Sequence, residues 1–188
     1  TIVAFACLLA GRAEAQTGRL WRPDERVLIT SFADVGALAR DSRRIYAATT
    51  GGLLAYDPLI RSWSTPLTAE DGYPALELPS ALAVDEASTD VWLGTAQGNV
   101  YRYRSVPPRW EQVGVALGGA VLAIVAPASF VEDVYIQTAG GWYRASRMSI
   151  GVRSVSGAEL PSAIVAQARA QRSVDPSVLA FRALLGLD

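Results

Sequence analysis

Two pairs of adjacent acids, Glu70-Asp71 and Glu132-Asp133, are the first residues whose types and spacing could do chemistry. A pair of carboxylates can divide acid and base roles between them, as in glycoside hydrolysis. That use requires both groups to face one substrate. Neighbours on a strand point to opposite faces, and adjacent acids in a turn are ordinarily solvated. The other reactive types are missing or misplaced. The chain of 188 residues contains no His, which removes the commonest general base and metal ligand. Its one cysteine, Cys7, lies in an apolar run near the N-terminus. No catalytic residue, metal ligand or cofactor is therefore assigned. A lyase or hydrolase working through carboxylates is the alternative reading. The residues read as ligand contacts are Asp71, Tyr73 and Arg104, taken as exposed positions between repeated units.

Charge and composition narrow the partners. The net charge is -1 and all 17 basic residues are scattered arginines, so no basic stripe marks a nucleic-acid surface. The apolar run at residues 2–10 has the length of a signal-peptide core, and Ala13-Glu14-Ala15 supplies a small-x-small cleavage signal. Residues 1–15 are accordingly read as a truncated signal peptide, with Gln16 as the mature N-terminus. The run is far short of the roughly 20 apolar residues that a membrane helix needs. The expected location is outside the cytoplasm: periplasmic, attached to the outer membrane, or secreted. A mature chain without cysteine has no disulfide, so burial and sheet hydrogen bonds must hold it together.

What positions the candidate residues is a repeat. Residues 44–57 (RIYAATTGGLLAYD) recur as residues 90–101 (DVWLGTAQGNVY), 46 positions on, and as residues 133–143 (DVYIQTAGGWY), 43 after that. Each copy is an apolar and aromatic run closed by Thr, then Gly three residues later, then a second apolar run. A period in the low forties built from short strands predicts β-propeller blades. The fold class is all-β, with about three four-stranded antiparallel meanders at residues 34–67, 80–114 and 119–155. Residues 16–33 form a lead-in whose segment 27–32 reads as a strand, either closing a ring or standing at an edge. Residues 156–188 read as a helical hairpin, packed on the outer strand of the third blade or inserted before further structure.

The recurring residues have structural causes. Thr49, Thr95 and Thr138 end a strand where a hydroxyl can satisfy the turn, and Gly52, Gly98 and Gly141 fall at the hairpin, where positive φ favours glycine. Trp63 and Trp110 are expected to cover the outer strands. The third copy departs: Gln137 stands in place of Gly94, and no Asp follows its first strand as Asp41 and Asp85 do.

Val91-Trp92-Leu93-Gly94-Thr95-Ala96-Gln97-Gly98 and Gly51-Gly52-Leu53-Leu54-Ala55-Tyr56-Asp57 together resemble the two-component-regulator type of propeller repeat. The resemblance implies a domain like the periplasmic sensor propellers of hybrid histidine kinases, or like the propeller component of the type IX secretion system. Three blades fall short of the four to eight of a closed propeller. The chain is thus expected to be part of a longer exported protein that supplies the remaining blades; an open stack and closure by oligomerisation are the other possibilities. The expected function is a non-enzymatic binding or interaction module holding a protein, glycan or peptide at one rim. A purely structural role in an envelope or secretion assembly is the further alternative.

Overall fold

Short runs rich in β-branched and aromatic residues, punctuated by Gly, Asp and Ser, form twelve strands among the described residues of the computed structural model, 35–129 and 131–172. The segment read as a signal peptide, the strand expected at 27–32 and the second helix expected near the C-terminus lie outside those residues.

The strands form three separate four-stranded antiparallel meanders, each a propeller-like blade. Blade one holds β1 (Val35–Arg40), β2 (Ile45–Thr49), β3 (Leu53–Asp57) and β4 (Ser62–Trp63). Blade two holds β5 (Pro79–Asp85), β6 (Asp90–Thr95), β7 (Val100–Ser105) and β8 (Pro108–Gly114). Blade three holds β9 (Val121–Val125), β10 (Val134–Thr138), β11 (Gly141–Ala145) and β12 (Val152–Val155). The connection from blade one to blade two contains a single 3-10 turn at Ala69–Asp71.

Each blade is apolar on both faces, which is why its strands lack a clean in–out alternation. Ala48, Leu53 and Tyr46 of blade one meet Leu82, Val91 and Leu93 of blade two. Trp92, Val100 and Val113 on the other face of blade two meet Val121, Ile124, Val134 and Ile136 of blade three.

The helix is placed differently from the sequence expectation. The single helix of the described residues, α1 (Ser162–Arg172), does not cover the outer strand β12. It lies on the free face of blade three, where Ile164 and Ala168 bury Ala123 and Val125 of the innermost strand, with Tyr135 and Trp142 beside them. The Gln171 side chain fixes the register. It donates to Ile124 O at 2.8 Å and accepts from the Ile124 N–H at 3.2 Å. The face that blades one and two offer to a following blade is, in blade three, offered to a helix.

The hairpin rule holds in part. Thr49 donates to Gly52 O at 3.0 Å, Thr138 donates to Gly141 O at 3.2 Å, and Thr95 accepts the Asn99 N–H at 3.2 Å. Gly98 has a positive φ of 84°. Gly52 does not need one: a Cβ there would stand 2.6 Å from the Leu67 carbonyl oxygen, so glycine is required by close approach instead.

Close approach also explains Gly94. A Cβ at Gly94 would fall 2.4 Å from Val121 Cγ1 and 2.6 Å from its Cβ, across the junction of blades two and three. Gly94→Ala is expected to lower unfolding free energy by about 1–3 kcal/mol through overpacking. Urea denaturation followed by tryptophan fluorescence reads it, and unchanged stability would mean that the two blades are less tightly apposed than described.

Candidate functional site

The junctions between blades are built alike, and one of them is incomplete. At the end of the innermost strand of blade two, Asp85 is fully buried and receives Arg147 from the β11–β12 connection of blade three. The Nε–Oδ2 distance is 2.5 Å, and Arg147 also donates to the backbone carbonyls of Pro127 and Ser129. Blade one carries the counterpart of Asp85. Arg40 pairs with Ile45 across β1–β2 as Val84 pairs with Val91 across β5–β6, so the next residue of each inner strand is Asp41 or Asp85. The counterpart of Arg147 follows in the same way. Val91 pairs with Tyr103 as Val134 pairs with Ala145, and two residues further on stand Ser105 and Arg147. Blade two thus presents a short hydroxyl where blade three presents a guanidinium.

The space left is a groove of about 430 Å³ between blades one and two, within the size range of small-molecule sites. Asp41, Arg43, Arg44 and Tyr46 line it from blade one, and Thr89, Tyr103 and Ser105 from blade two, over an apolar floor of Leu53, Ala55, Leu67 and Val91. β4 is only two residues long, and beyond Trp63 the chain keeps the Ser64 N–H on Ala55 O and a single bridge, Leu67 to Leu53.

The polar groups on the wall are held in place. Asp41 accepts the N–H groups of Arg43 and Arg44 on one oxygen, at 2.7 and 2.5 Å, and the Tyr46 hydroxyl on the other, at 3.0 Å. Burial, and then the neighbouring Asp41 carboxylate, push the Tyr46 pKa up, with Arg44 opposing them. Tyr46 is therefore a protonated donor to Asp41 at neutral pH. Arg43 pairs with Asp57 at 2.8 Å. Thr89 has a φ of 63°, an uncommon place for a β-branched residue. It is secured by its N–H to Asp85 O and by a 2.7 Å hydrogen bond between its hydroxyl and that of Ser105.

The three residues expected from sequence are not brought together. Tyr73 is not an exposed contact but a buried one, 3% accessible. Its hydroxyl donates to Thr49 O at 2.6 Å and its ring meets Trp110 edge-on at 5.2 Å, so an aromatic in a Gly-Pro-flanked loop serves as the wedge between blades. Asp71 is exposed and caps the 3-10 turn, accepting the Thr68 N–H at 2.9 Å. Arg104 lies on β7 with its Nε 3.1 Å from Glu111, while its neighbour Tyr103 lines the groove. Successive strand residues face opposite sides, and that alternation separates them. Of the acidic pairs, Glu70 is exposed beside Asp71 and Glu132 is exposed, and Asp133 is bound by Arg144 at 2.8 Å. None of the four lines the groove.

Arg44 and Tyr46 belong to the repeated stretch that the sequence reading took as structural throughout. The signal that could have singled them out is a comparison across copies: Asp41 repeats in Asp85, but the partner position changes from Arg147 to Ser105.

Solved structures that match include two crystal structures of an extracellular domain from B. thetaiotaomicron, BT4673, described in one as a one-component system and in the other as a hybrid two-component system. Both align with a TM-score of 0.51, at 16% and 17% identity, over 64% of this chain. The likeness is one of fold. The aligned part amounts to 17% and 16% of those chains, so this chain matches only a small share of a much larger domain. No protein-family model and no curated protein matches the chain.

Proposed function

We propose that this chain is a non-enzymatic, exported binding module of the extracellular-sensor kind, with its ligand held in the groove between blades one and two. The observation that carries this reading is the Ser105 vacancy: a junction that blade three closes with a buried ion pair is left open, polar-walled and apolar-floored in blade one. The extracellular origin of the solved domains with this fold supports export. Carboxylate catalysis is the weaker reading, because Asp41 is the one acid on the groove wall among the described residues.

Ser105→Arg tests it by rebuilding the Asp85–Arg147 pair at Asp41. The parent chain is screened by thermal shift against mono- and oligosaccharides and short peptides. S105R is expected to keep or raise the melting temperature and to lose whatever binding the parent shows. Binding that survives in a folded S105R would remove the groove from the account.

A structural envelope component is a second reading with its own observation. Leu59 and Ile60, Val106, and Met148 and Ile150 are large, exposed and apolar, and they sit in the equivalent β3–β4, β7–β8 and β11–β12 connections. A row of apolar tips on one rim is what partner docking would use.

A further inference from the structure

This inference rests on the groove reading and names the chemistry of its ligand. Arg44 is half-buried in the groove wall; its guanidinium reaches the Tyr46 hydroxyl, and its enclosed Nε has no hydrogen-bond partner. It makes no ion pair among the described residues. The nearby charges are already engaged: both Asp41 oxygens accept hydrogen bonds, and Arg43 is taken by Asp57. A guanidinium on a groove wall with no carboxylate of its own leaves its charge for an anion from outside.

We propose that the groove binds a small carboxylate-bearing molecule whose acid group accepts hydrogen bonds from Arg44. A guanidinium edge matches the planar fork of a carboxylate. Asp41 on the same wall disfavours a doubly charged phosphate. The floor of Leu53, Ala55, Leu67 and Val91, with the Tyr103 ring, takes a compact and partly apolar body. An acidic sugar and an N-acylated amino acid share that chemistry.

Titration calorimetry on the full chain with two matched pairs separates these sources: glucuronate against glucose, and N-acetylphenylalanine against its amide. In at least one pair the acid is expected to bind about tenfold or more tightly than its neutral partner, the effect of one charge-assisted hydrogen bond. Arg44→Gln should erase that preference, while Arg153→Gln, exposed on β12 and away from the groove, should leave it. Equal binding of acid and neutral partner, or a preference that survives in R44Q, would overturn the carboxylate assignment. If the neutral partners bind and S105R abolishes them, the groove stands and only its anion selectivity falls. Absence of binding by all four probes also overturns the assignment, and the wider ligand screen then decides whether the groove falls with it.

Discussion

Arg147→Ala is expected to cost about 3–5 kcal/mol of unfolding free energy, the range for removing one partner of a buried ion pair. Asp85 has no accessible surface and Arg147 is 5% accessible, so alanine leaves a carboxylate enclosed without its cation. The loss does not stop at the charge. The Pro127 carbonyl would also lose its donor, and the Ser129 carbonyl would keep only the Glu132 N–H. One N–H contact remains to Asp85, from Ala87 at 3.1 Å. Native domains are stable by only about 5–15 kcal/mol, so this one contact is a large share of the total. Urea unfolding of the parent, R147A, Asp85→Ala and the double variant reads both the loss and the coupling. The double variant should lose clearly less than the sum of the singles. A loss below about 1 kcal/mol for R147A would show that water reaches the pair and screens it.

The sequence pattern carried most of the fold because blade strands obey local rules. The Thr-x-x-Gly hairpins and the short apolar runs each report their own backbone, and β2, β6 and β10 lie within the repeated stretches 44–57, 90–101 and 133–143. The departures of the third copy were visible too, but their cause was not. Position 48 is Ala, 94 is Gly and 137 is Gln. Ala48 faces blade two and Gly94 faces blade three at van der Waals limits, whereas blade three turns the equivalent face towards α1. A large residue is tolerated where a helix, and not a blade, packs on the face.

The site was less legible because it is made by an absence. Ser105 is unremarkable in any window of sequence, and it acquires meaning only when the β-ladder registers align it with Arg147. Tyr73 misled for the opposite reason. Its loop is marked by Gly72 and Pro74, and loop residues are ordinarily exposed. Yet the space between two blade faces needs a large side chain with one polar end, and Tyr73 supplies it by giving its hydroxyl to Thr49 O.

The second large effect belongs to Glu111, which gathers three arginines. Arg102 Nη2 lies 2.5 Å from it, Arg109 Nη2 2.5 Å and Arg104 Nε 3.1 Å. Arg102 is the critical member. It is fully buried, stacks over Trp92 at 5.3 Å and donates to Arg147 O at 2.7 Å, tying the outer half of blade two to blade three. Burial alone would raise the Glu111 pKa, but hydrogen bonds from Arg102 and Arg109, the attraction of Arg102 and a further bond from Arg104 outweigh it and hold the group at about 2. Because the folded pKa lies below the unfolded value of 4.5, Glu111 stabilises the fold above pH 4.5, and this contribution is lost as pH falls towards 2. Glu111→Ala is expected to lose about 3–5 kcal/mol at pH 7, since Arg102 is then buried without its counter-charge. Glu111→Gln should lose less, and it should flatten the dependence of stability on pH between 4.5 and 2 relative to the parent. Other carboxylates titrate in the same window, so the difference between E111Q and the parent is the quantity to read. Parallel acid limbs would mean that Glu111 titrates normally and that Arg102 is neutralised elsewhere.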